Sequence, residues 1–164
     1  MDKTSVYTTM DSPVGRLLLT GLVSEDGFEL DTVSFGSSVP SGRFDRAAFD
    51  SVERQLAEYF EGSRAEFFVT ASARGTEFQR RVWAALAEIP YGETISYGTL
   101  AARVGAPRDR IRAVAAAVGA NPLLIIRPCH RVVGADGSLT GYAGGVPAKR
   151  ALLVHEGALQ PELV

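Results

Sequence analysis

Residues 96–119 read SYGTLAARVGAPRDRIRAVAAAVG, and this stretch decides the fold class of the second half of the chain. Ser96 is placed to cap a helix that runs to about Val104, because a serine oxygen accepts a hydrogen bond from a free amide in the first turn. Asp109 is placed to cap a second helix, to Val118, in the same way. A short turn with glycine and proline separates the two, so the stretch predicts a helix-turn-helix.

The first turn of the second helix carries Arg110 and Arg112, at the end that reaches the groove in DNA-binding proteins of this kind. Helical hairpins are common, so this pattern alone is weak support for DNA binding. The side chains that we expect this helix to bury are Ile111, Val114, Ala115 and Val118.

The candidate reactive residues lie just beyond these helices. Cys129 is the only cysteine of the chain, and His130 follows it directly. A thiolate is the strongest side-chain nucleophile, and a neighbouring imidazole is the usual base that generates it. A lone cysteine is more often a small buried hydrophobic residue, so Cys129 by itself carries little weight.

The apolar run 123–126 predicts a buried extended segment that leads to the cysteine. In an extended chain adjacent side chains point to opposite faces, so thiol and imidazole would connect through a bridging water. An imidazole base also needs an acidic partner to set its tautomer. Cys129, a water, His130 and Glu156 therefore form a candidate relay.

Length and composition exclude several classes of protein. The 164 residues fit one domain or two small ones. No apolar run approaches the roughly 20 residues that cross a membrane, and the N-terminus lacks the apolar stretch of a signal peptide. One cysteine excludes an internal disulfide framework and a cysteine-cluster metal site. We expect a cytoplasmic protein with no cofactor, no bound metal and no membrane partner.

The net charge of −2 hides an asymmetry, since residues 1–71 carry −6 and residues 72–164 carry +4. Within 103–131 six arginines face a single acid, which indicates either a nucleic-acid surface or, with equal weight, a solvated helix face. The six are Arg103, Arg108, Arg110, Arg112, Arg127 and Arg131.

The patterns of the whole chain predict an α/β N-terminal domain, a small antiparallel sheet plus a helix, followed by a mostly α, winged helix-turn-helix-like C-terminal domain. In the second domain the sequence also predicts a helix that begins with a capping box at Thr76, a hairpin wing around 134–137 and a last helix over 147–157. In the first, the predicted elements are strands at 5–9, 15–22, 28–35 and 66–70, a loop at 36–42 and a helix at 45–61.

The run Pro128-Cys129-His130-Arg131-Val132, with Asn121-Pro122 upstream and His155-Glu156-Gly157 downstream, resembles the O6-alkylguanine-DNA alkyltransferase (methylated-DNA–protein-cysteine methyltransferase) family. The match covers nearly all of 72–159 and is specific, because its motifs occur in order at near-fixed spacing. The other matching segments are 78–83, 89–93, 95–97, 112–114 and 140–145.

The resemblance implies a ribonuclease H-like domain at 1–73 and a helix-turn-helix DNA-binding, alkyl-acceptor domain at 74–164. It implies DNA repair by direct, stoichiometric transfer of an alkyl group from O6-alkylguanine, and from O4-alkylthymine, to Cys129. Base flipping and irreversible self-inactivation are part of that activity. The implied partner is double-stranded DNA with alkylated bases, approached through the minor groove.

The resemblance also implies individual roles. Cys129 accepts the alkyl group, while His130 acts as the base through water and is oriented by Glu156. Tyr97 donates a proton or hydrogen bond to the departing guanine, and Asn121 braces the turn before the cysteine segment.

On the DNA side, the resemblance implies that Arg112 fills the space left by the flipped nucleotide. Arg110 is the alternative, because the stretch from Tyr97 to Arg112 is one residue longer than the family pattern. The remaining implied residues are Ala113 and Arg131 on the DNA, and Val132, Tyr142, Ala143 and Lys149 in the base pocket.

From the residues alone, two other function classes stay open. A cysteine hydrolase would also use Cys129, His130 and Glu156, but it would turn over an ester steadily and would not need a basic helix-turn-helix. A non-catalytic winged-helix DNA-binding protein would use the two helices without the cysteine.

Overall fold

The structure, a computed structural model, describes residues 2–36 and 38–161. The chain divides into two compact units, Met1–Ala73 and Arg74–Val164, and each is described by itself. Ser37, in the predicted loop at 36–42, lies outside the described residues, as do the first residue and the last three of the chain. In the described ranges no helix is long and apolar enough to cross a membrane.

One sheet forms the centre of the first unit. Its long strands pair antiparallel as the sequence predicted, and in the centre of β2 the alternate residues Leu17, Leu19 and Gly21 are buried. The short fourth strand pairs with the first in parallel, so the sheet is mixed. In the order β3-β2-β1-β4, the strands are β1 (Thr4–Ser12), β2 (Gly15–Ser24), β3 (Gly27–Phe35) and β4 (Arg43–Phe44).

A helix packs on this sheet. It begins with a 3₁₀ turn, Arg46–Phe49, whose first turn is capped by Asp45 through an oxygen that accepts from the Ala48 amide at 3.2 Å. The α-helix α1, Asp50–Glu61, follows directly and ends at Gly62. It buries Phe49, Val52, Leu56 and Tyr59.

The strand predicted at 66–70 is wrong. The side chain of Gln55, on α1, donates to the Phe68 carbonyl at 3.0 Å and accepts from the Phe68 amide at 2.8 Å. These bonds take the backbone groups that a strand ladder would use. Contact with the sheet is reduced to the residues around Ala71, where the Ser72 amide donates to the Leu30 carbonyl at 2.8 Å.

The second unit begins with α2, Glu77–Leu86, which has the predicted capping box. The Thr76 hydroxyl accepts from the Gln79 amide at 3.1 Å, and the Gln79 side chain accepts in return from the Thr76 amide at 2.9 Å. Farther along, the indole of Trp83 donates to the Ala117 carbonyl at 2.8 Å. This buried bond ties α2 to a later helix.

The helix-turn-helix is present, with one difference from the prediction. Ser96 caps α3 (Tyr97–Arg103) by accepting from the Thr99 amide at 3.0 Å. The predicted cap by Asp109 is wrong, because this residue lies inside a 3₁₀ turn, Arg108–Arg110, that leads into α4 (Ile111–Gly119).

The buried face of α4 also differs from the prediction. Val114 and Val118 are buried as expected, together with Ala117, whereas Ile111 and Ala115 are exposed. The hydrogen bond from the Trp83 indole to the Ala117 carbonyl holds the buried side of α4 against α2. Ala115 lies about 100° away from that face and remains open to a ligand.

The predicted hairpin wing does not form. In the described part of the second unit, β6 (Val132–Val133) pairs in parallel with β5 (Ile95–Ser96) rather than with residues 138–140. The predicted turn at 134–137 is present, since the Gly134 amide donates to the Ser138 carbonyl at 2.9 Å. The last helix, α5, spans Val146–His155.

The indole of Trp83 leaves no room for a side chain at Gly75. A Cβ there would lie 2.6 Å from the ring, and the glycine has a φ of +85°. We expect Gly75→Ala to lower the free energy of unfolding by about 1–2 kcal/mol for the left-handed backbone and by roughly 1–3 kcal/mol more for overpacking.

Gly105→Ala is the matched control, because Gly105 has a φ of +72° and nothing within 4 Å of an added Cβ. Urea unfolding followed by the fluorescence of Trp83 measures both variants. Equal losses for the two would show that the indole is not packed against Gly75.

Candidate active site

A tight turn presents the cysteine. The turn spans residues 123–127 and is closed by a hydrogen bond from the Arg127 amide to the Leu123 carbonyl at 2.9 Å. Ile125, within this turn, has a φ of +72°. A 3₁₀ turn, Cys129–Arg131, follows. The extended segment predicted at 123–126 is wrong, because its backbone groups bond within the turn instead of along a strand.

Asn121 holds this turn from the inside. Its side-chain amide donates to the Arg127 carbonyl at 2.9 Å, and its side-chain oxygen accepts from the Leu123 amide at 3.0 Å. The residue is 5% exposed. One side chain therefore links the end of α4 to the approach to Cys129.

Three consecutive buried side chains leave the 3₁₀ turn, and two of them meet the same carboxylate. The Nε2 atom of His130 lies 2.8 Å from Oε2 of Glu156, the residue that ends α5. Arg131 donates to both oxygens of that carboxylate, from Nε at 2.8 Å and from Nη2 at 3.0 Å. The Glu156 carboxylate is thus held in one orientation by the imidazole of His130 and the guanidinium of Arg131.

The predicted DNA contact of Arg131 is contradicted by this geometry. The residue is 6% exposed, and its Nη1 atom donates to the Ile89 carbonyl at 2.6 Å. Its charge is matched by Glu156. A guanidinium that is buried and paired in this way does not reach a phosphate.

His130 is a neutral base at rest. Burial lowers the pKa of its imidazole; the carboxylate of Glu156 opposes this effect, whereas the charges of Arg131 and Lys149 add to it. A carboxylate only accepts, so Nε2 donates to it and the lone pair lies on Nδ1. Among the described residues Nδ1 has no hydrogen-bond partner.

Cys129 is 4% exposed, and burial raises the pKa of its thiol. A hydrogen bond from the side chain of Asn121 and the charge of Lys149 act against that rise. Lys149 itself is fully buried, and its Nζ donates to the Val132 carbonyl at 2.7 Å and to the Thr140 carbonyl at 3.2 Å. Burial lowers the pKa of this lysine.

A cavity of about 390 Å³ opens onto the cysteine. Its walls come from α4, from the start of α3 and from the loop before α5. The hydroxyl of Tyr97 accepts from the Thr140 hydroxyl at 3.4 Å on the exposed side. Burial raises the pKa of Tyr142 above its ordinary value. The residues that line the cavity include Cys129, Tyr97, Tyr142, Ala143, Ala115 and Val118.

The arginines predicted as a cluster separate into two groups. Arg110 and Arg112 are exposed at the start of α4, with Ala113 partly buried beside them. The guanidinium of Arg127 lies 4.9 Å from the centre of the Trp83 ring and faces the interior of the unit, as does that of Arg131. The exposed basic surface is therefore smaller than the sequence indicated.

Sequence reasoning missed the wall of the cavity on α4. Ala115, Val118 and Gly119 line the cavity beside the cysteine. The sequence had predicted Ala115 and Val118 as core residues only. A run of small residues was the available signal, since a thin helix leaves space for a ligand.

Two family models match the chain. One, 6-O-methylguanine DNA methyltransferase, DNA binding domain, covers residues 77–158, and the other, 6-O-methylguanine DNA methyltransferase, ribonuclease-like domain, covers residues 5–71. The chain belongs to the 6-O-methylguanine DNA methyltransferase family.

Known members of this methyltransferase family are similar over almost their whole length. A methylated-DNA–protein-cysteine methyltransferase of Mycobacterium tuberculosis is 48% identical over 156 residues, which are 94% of each chain. The crystal structure of Mycobacterium tuberculosis O6-methylguanine methyltransferase has a TM-score of 0.84 at 48% identity and covers 96% of this chain and 95% of that one. A crystal structure of Mycobacterium tuberculosis OGT in complex with DNA has a TM-score of 0.83 at 48% identity and covers 93% of each chain.

These comparisons confirm the family and the fold class that the sequence indicated. They also confirm the enzyme class, a methyltransferase of DNA repair that transfers an alkyl group to a protein cysteine. The second unit of the methyltransferase carries the DNA-binding domain of the family.

Burial raises the pKa of the Cys129 thiol, and the charge of the buried Lys149 ammonium opposes that rise. We expect Lys149→Met to raise this pKa, so that alkylation of the thiol by iodoacetamide requires a higher pH. Cys129 is the only cysteine, so its adduct is read directly by mass. Lys3→Met, in the first unit, is the control and leaves the profile unchanged. A thiol pKa in Lys149→Met equal to that of the wild type would contradict the assignment.

Proposed function

We propose that the protein repairs O6-alkylguanine, and also O4-alkylthymine, in double-stranded DNA by moving the alkyl group to Cys129. One observation carries this proposal. The thiol of Cys129 faces a largely apolar cavity, and its neighbour His130 is a buried base oriented by Glu156. Nucleophile, base and orienting acid are the parts that such a transfer needs.

The chemistry follows from the protonation states at the site. His130 takes the thiol proton at Nδ1 through a water molecule, and Glu156 stabilises the imidazolium that forms. The thiolate then attacks the alkyl carbon, so that an S–C bond forms and the bond from carbon to O6 breaks. Tyr97, at the mouth of the cavity, donates a hydrogen bond or a proton to the departing base. The product is a thioether with no acyl carbon for water to attack, and each molecule acts once.

The cavity walls suit a flat base. Tyr142 and Ala143 close one side of it, and the backbone amide of Ala143 is a candidate donor to the base. The carbonyls of Cys129 and Val132 are candidate acceptors for the guanine amino group. Lys149 already donates to the Val132 carbonyl, which retains a second lone pair, and so fixes its direction.

On the DNA side, the start of α4 is the proposed element of entry. Arg112 is exposed there and is long enough to fill the place of a flipped nucleotide from the minor groove. Ala113 beside it adds little bulk, and Arg110 is the alternative. Flipping is required because chemistry on a base inside the stack is sterically blocked.

Family membership favours this activity over the two alternatives left open by the residues. A cysteine hydrolase does not account for the DNA-binding domain, and a non-catalytic DNA-binding protein does not account for a buried Cys129 at a ligand-sized cavity. The proposed location is the cytoplasm, where the thiol stays reduced.

The first prediction of this mechanism concerns stoichiometry. With an excess of a methylated duplex oligonucleotide, repair stops at one lesion per protein molecule, because the thioether has no route back to thiol. Mass spectrometry shows one added methyl group on the peptide with Cys129. Cys129→Ala binds the duplex but repairs nothing. Continued repair beyond a one-to-one ratio, or repair by the alanine variant, would exclude the proposal.

The second prediction concerns Arg112. We expect Arg112→Ala to slow transfer from a methylated duplex strongly but transfer from a free O6-alkylguanine base only slightly, since a free base does not have to leave a stack. Arg110→Ala is the matched control and has a milder effect on the duplex reaction. Equal losses of Arg112→Ala on both substrates would place the residue in folding or in the pocket, and a stronger effect of Arg110→Ala would identify that residue as the inserted one.

A further inference from the structure

Arg131, like Arg127, is an arginine of the basic stretch that the exposed DNA-binding surface does not explain, and of the two it is Arg131 that is paired with a carboxylate. It lies within the 3₁₀ turn of the cysteine and is 6% exposed. All three of its terminal nitrogen positions have partners, two on Glu156 and one on Ile89. Arginine is suited to such a site because its planar fork matches a carboxylate with two parallel hydrogen bonds.

Resting on the proposed alkyl transfer to Cys129, we propose that Arg131 is a positioning residue of the active site, which holds the Glu156 carboxylate in the orientation that keeps His130 aligned. It acts through Glu156 and does not touch the base. Its task is to keep an ionised carboxylate at a place where ionisation is otherwise unfavourable.

The position of Glu156 shows why such a partner is needed. The residue caps the C-terminal end of α5, and its side chain is fully buried. The C-terminal end of a helix is the negative end of its dipole, and burial also disfavours a charged carboxyl group. His130 is neutral at rest and supplies no charge to offset either effect. The positive charge of the Arg131 guanidinium offsets both effects.

The guanidinium is held from a second side, so that it is itself rigid. Its Nη1 atom bonds to the Ile89 carbonyl at 2.6 Å, in the turn after α2, and its carbon lies 5.7 Å from the centre of the Tyr91 ring. A shift of Glu156 would therefore break bonds to a fixed partner. Because Oε2 of Glu156 is shared by Arg131 and by Nε2 of His130, the arginine also fixes the direction of the imidazole.

The charge of Arg131 also affects the pH dependence of transfer, because it acts on His130. The groups that face His130 are Glu156, which raises its pKa, and Arg131 and Lys149, which lower it. Tyr91 and Tyr142 face the same carboxylate and are neutral, because burial raises the pKa of each. Removing the cation of Arg131 raises the pKa of His130, so the imidazole is protonated, and unable to accept the thiol proton, up to a higher pH.

The test measures single-turnover transfer of the benzyl group from free O6-benzylguanine to Cys129 between about pH 5 and about pH 9, with the full chain. The free base removes any contribution of DNA binding. In Arg131→Met the acidic limb of the rate profile moves to higher pH, so that transfer at acidic pH falls relative to the plateau, because the charge of Arg131 no longer lowers the pKa of His130. Arg131→Lys keeps the charge but loses the fork, so its limb stays in place while the plateau rate falls.

A double variant covers the case in which Arg131→Met does not fold because Glu156 is left buried and unpaired. Glu156→Gln removes the carboxylate, and Arg131→Met added to it removes both charges together. Since Arg131 acts through Glu156, we expect the plateau rate of the double variant to equal that of Glu156→Gln. Arg81→Met is the matched control, because Arg81 is exposed and lies over the ring of Phe78, 5.5 Å from its centre.

The outcomes separate this inference from the proposed function. If the wild-type protein forms neither a benzyl adduct from the free base nor a methyl adduct from the methylated duplex on Cys129, alkyl transfer fails and the role of Arg131 fails with it. If only the methyl adduct forms, the same variants are compared on the methylated duplex. If the adduct forms but Arg131→Met slows transfer equally at every pH, the arginine is only structural. A plateau loss in Arg131→Lys with an unmoved limb supports positioning, whereas a wild-type profile in Arg131→Lys, or a double variant much slower than Glu156→Gln, overturns it.

Discussion

The buried carboxylate of Glu156 is the constraint on which the second unit of the protein depends. It accepts from His130 and Arg131, and it lies at the end of α5. Arg131 continues the connection to the turn after α2 through the Ile89 carbonyl. Three segments far apart in sequence thus meet at one charge. A buried charge is tolerated only when its partners are complete, so the loss of one partner would affect folding and chemistry together.

The same arrangement explains why the cysteine lies on a turn. In a strand, neighbouring side chains alternate between two faces, and Cys129 and Arg131 would share one face while His130 pointed away. The 3₁₀ turn instead directs His130 and Arg131 to one carboxylate while Cys129 lines the cavity. The bonds of Asn121 to the preceding turn hold this geometry from the side of α4.

The parts of the fold that the sequence predicted correctly are those set by local chemistry. The caps at Thr76 and Ser96 and the antiparallel strands of the first unit follow from residue type and periodicity. Two of the failures, the strand at 66–70 and the hairpin wing, share a cause, which is a partner distant in the chain. Gln55 takes the backbone groups of the strand predicted at 66–70, and β5 takes the strand that the hairpin wing required. For the site, the motif around Cys129 indicated which residues matter. It did not indicate that Arg131 contacts Glu156, because the sequence of a basic stretch does not show whether an arginine points to solvent or to a buried carboxylate.

The protonation states of the site explain how a deeply buried thiol can serve as a nucleophile. Burial favours the neutral forms of Cys129 and His130, so the resting pair carries no charge. Transfer of one proton creates a thiolate and an imidazolium, and a charge of opposite sign is already in place for each. Lys149 lowers the free energy of the thiolate, and Glu156 lowers that of the imidazolium. Thiolate is therefore scarce at rest, and it forms when the thiol proton moves to His130. Arg131 makes this possible by keeping Glu156 ionised before the proton moves, since a protonated glutamate could not stabilise the imidazolium.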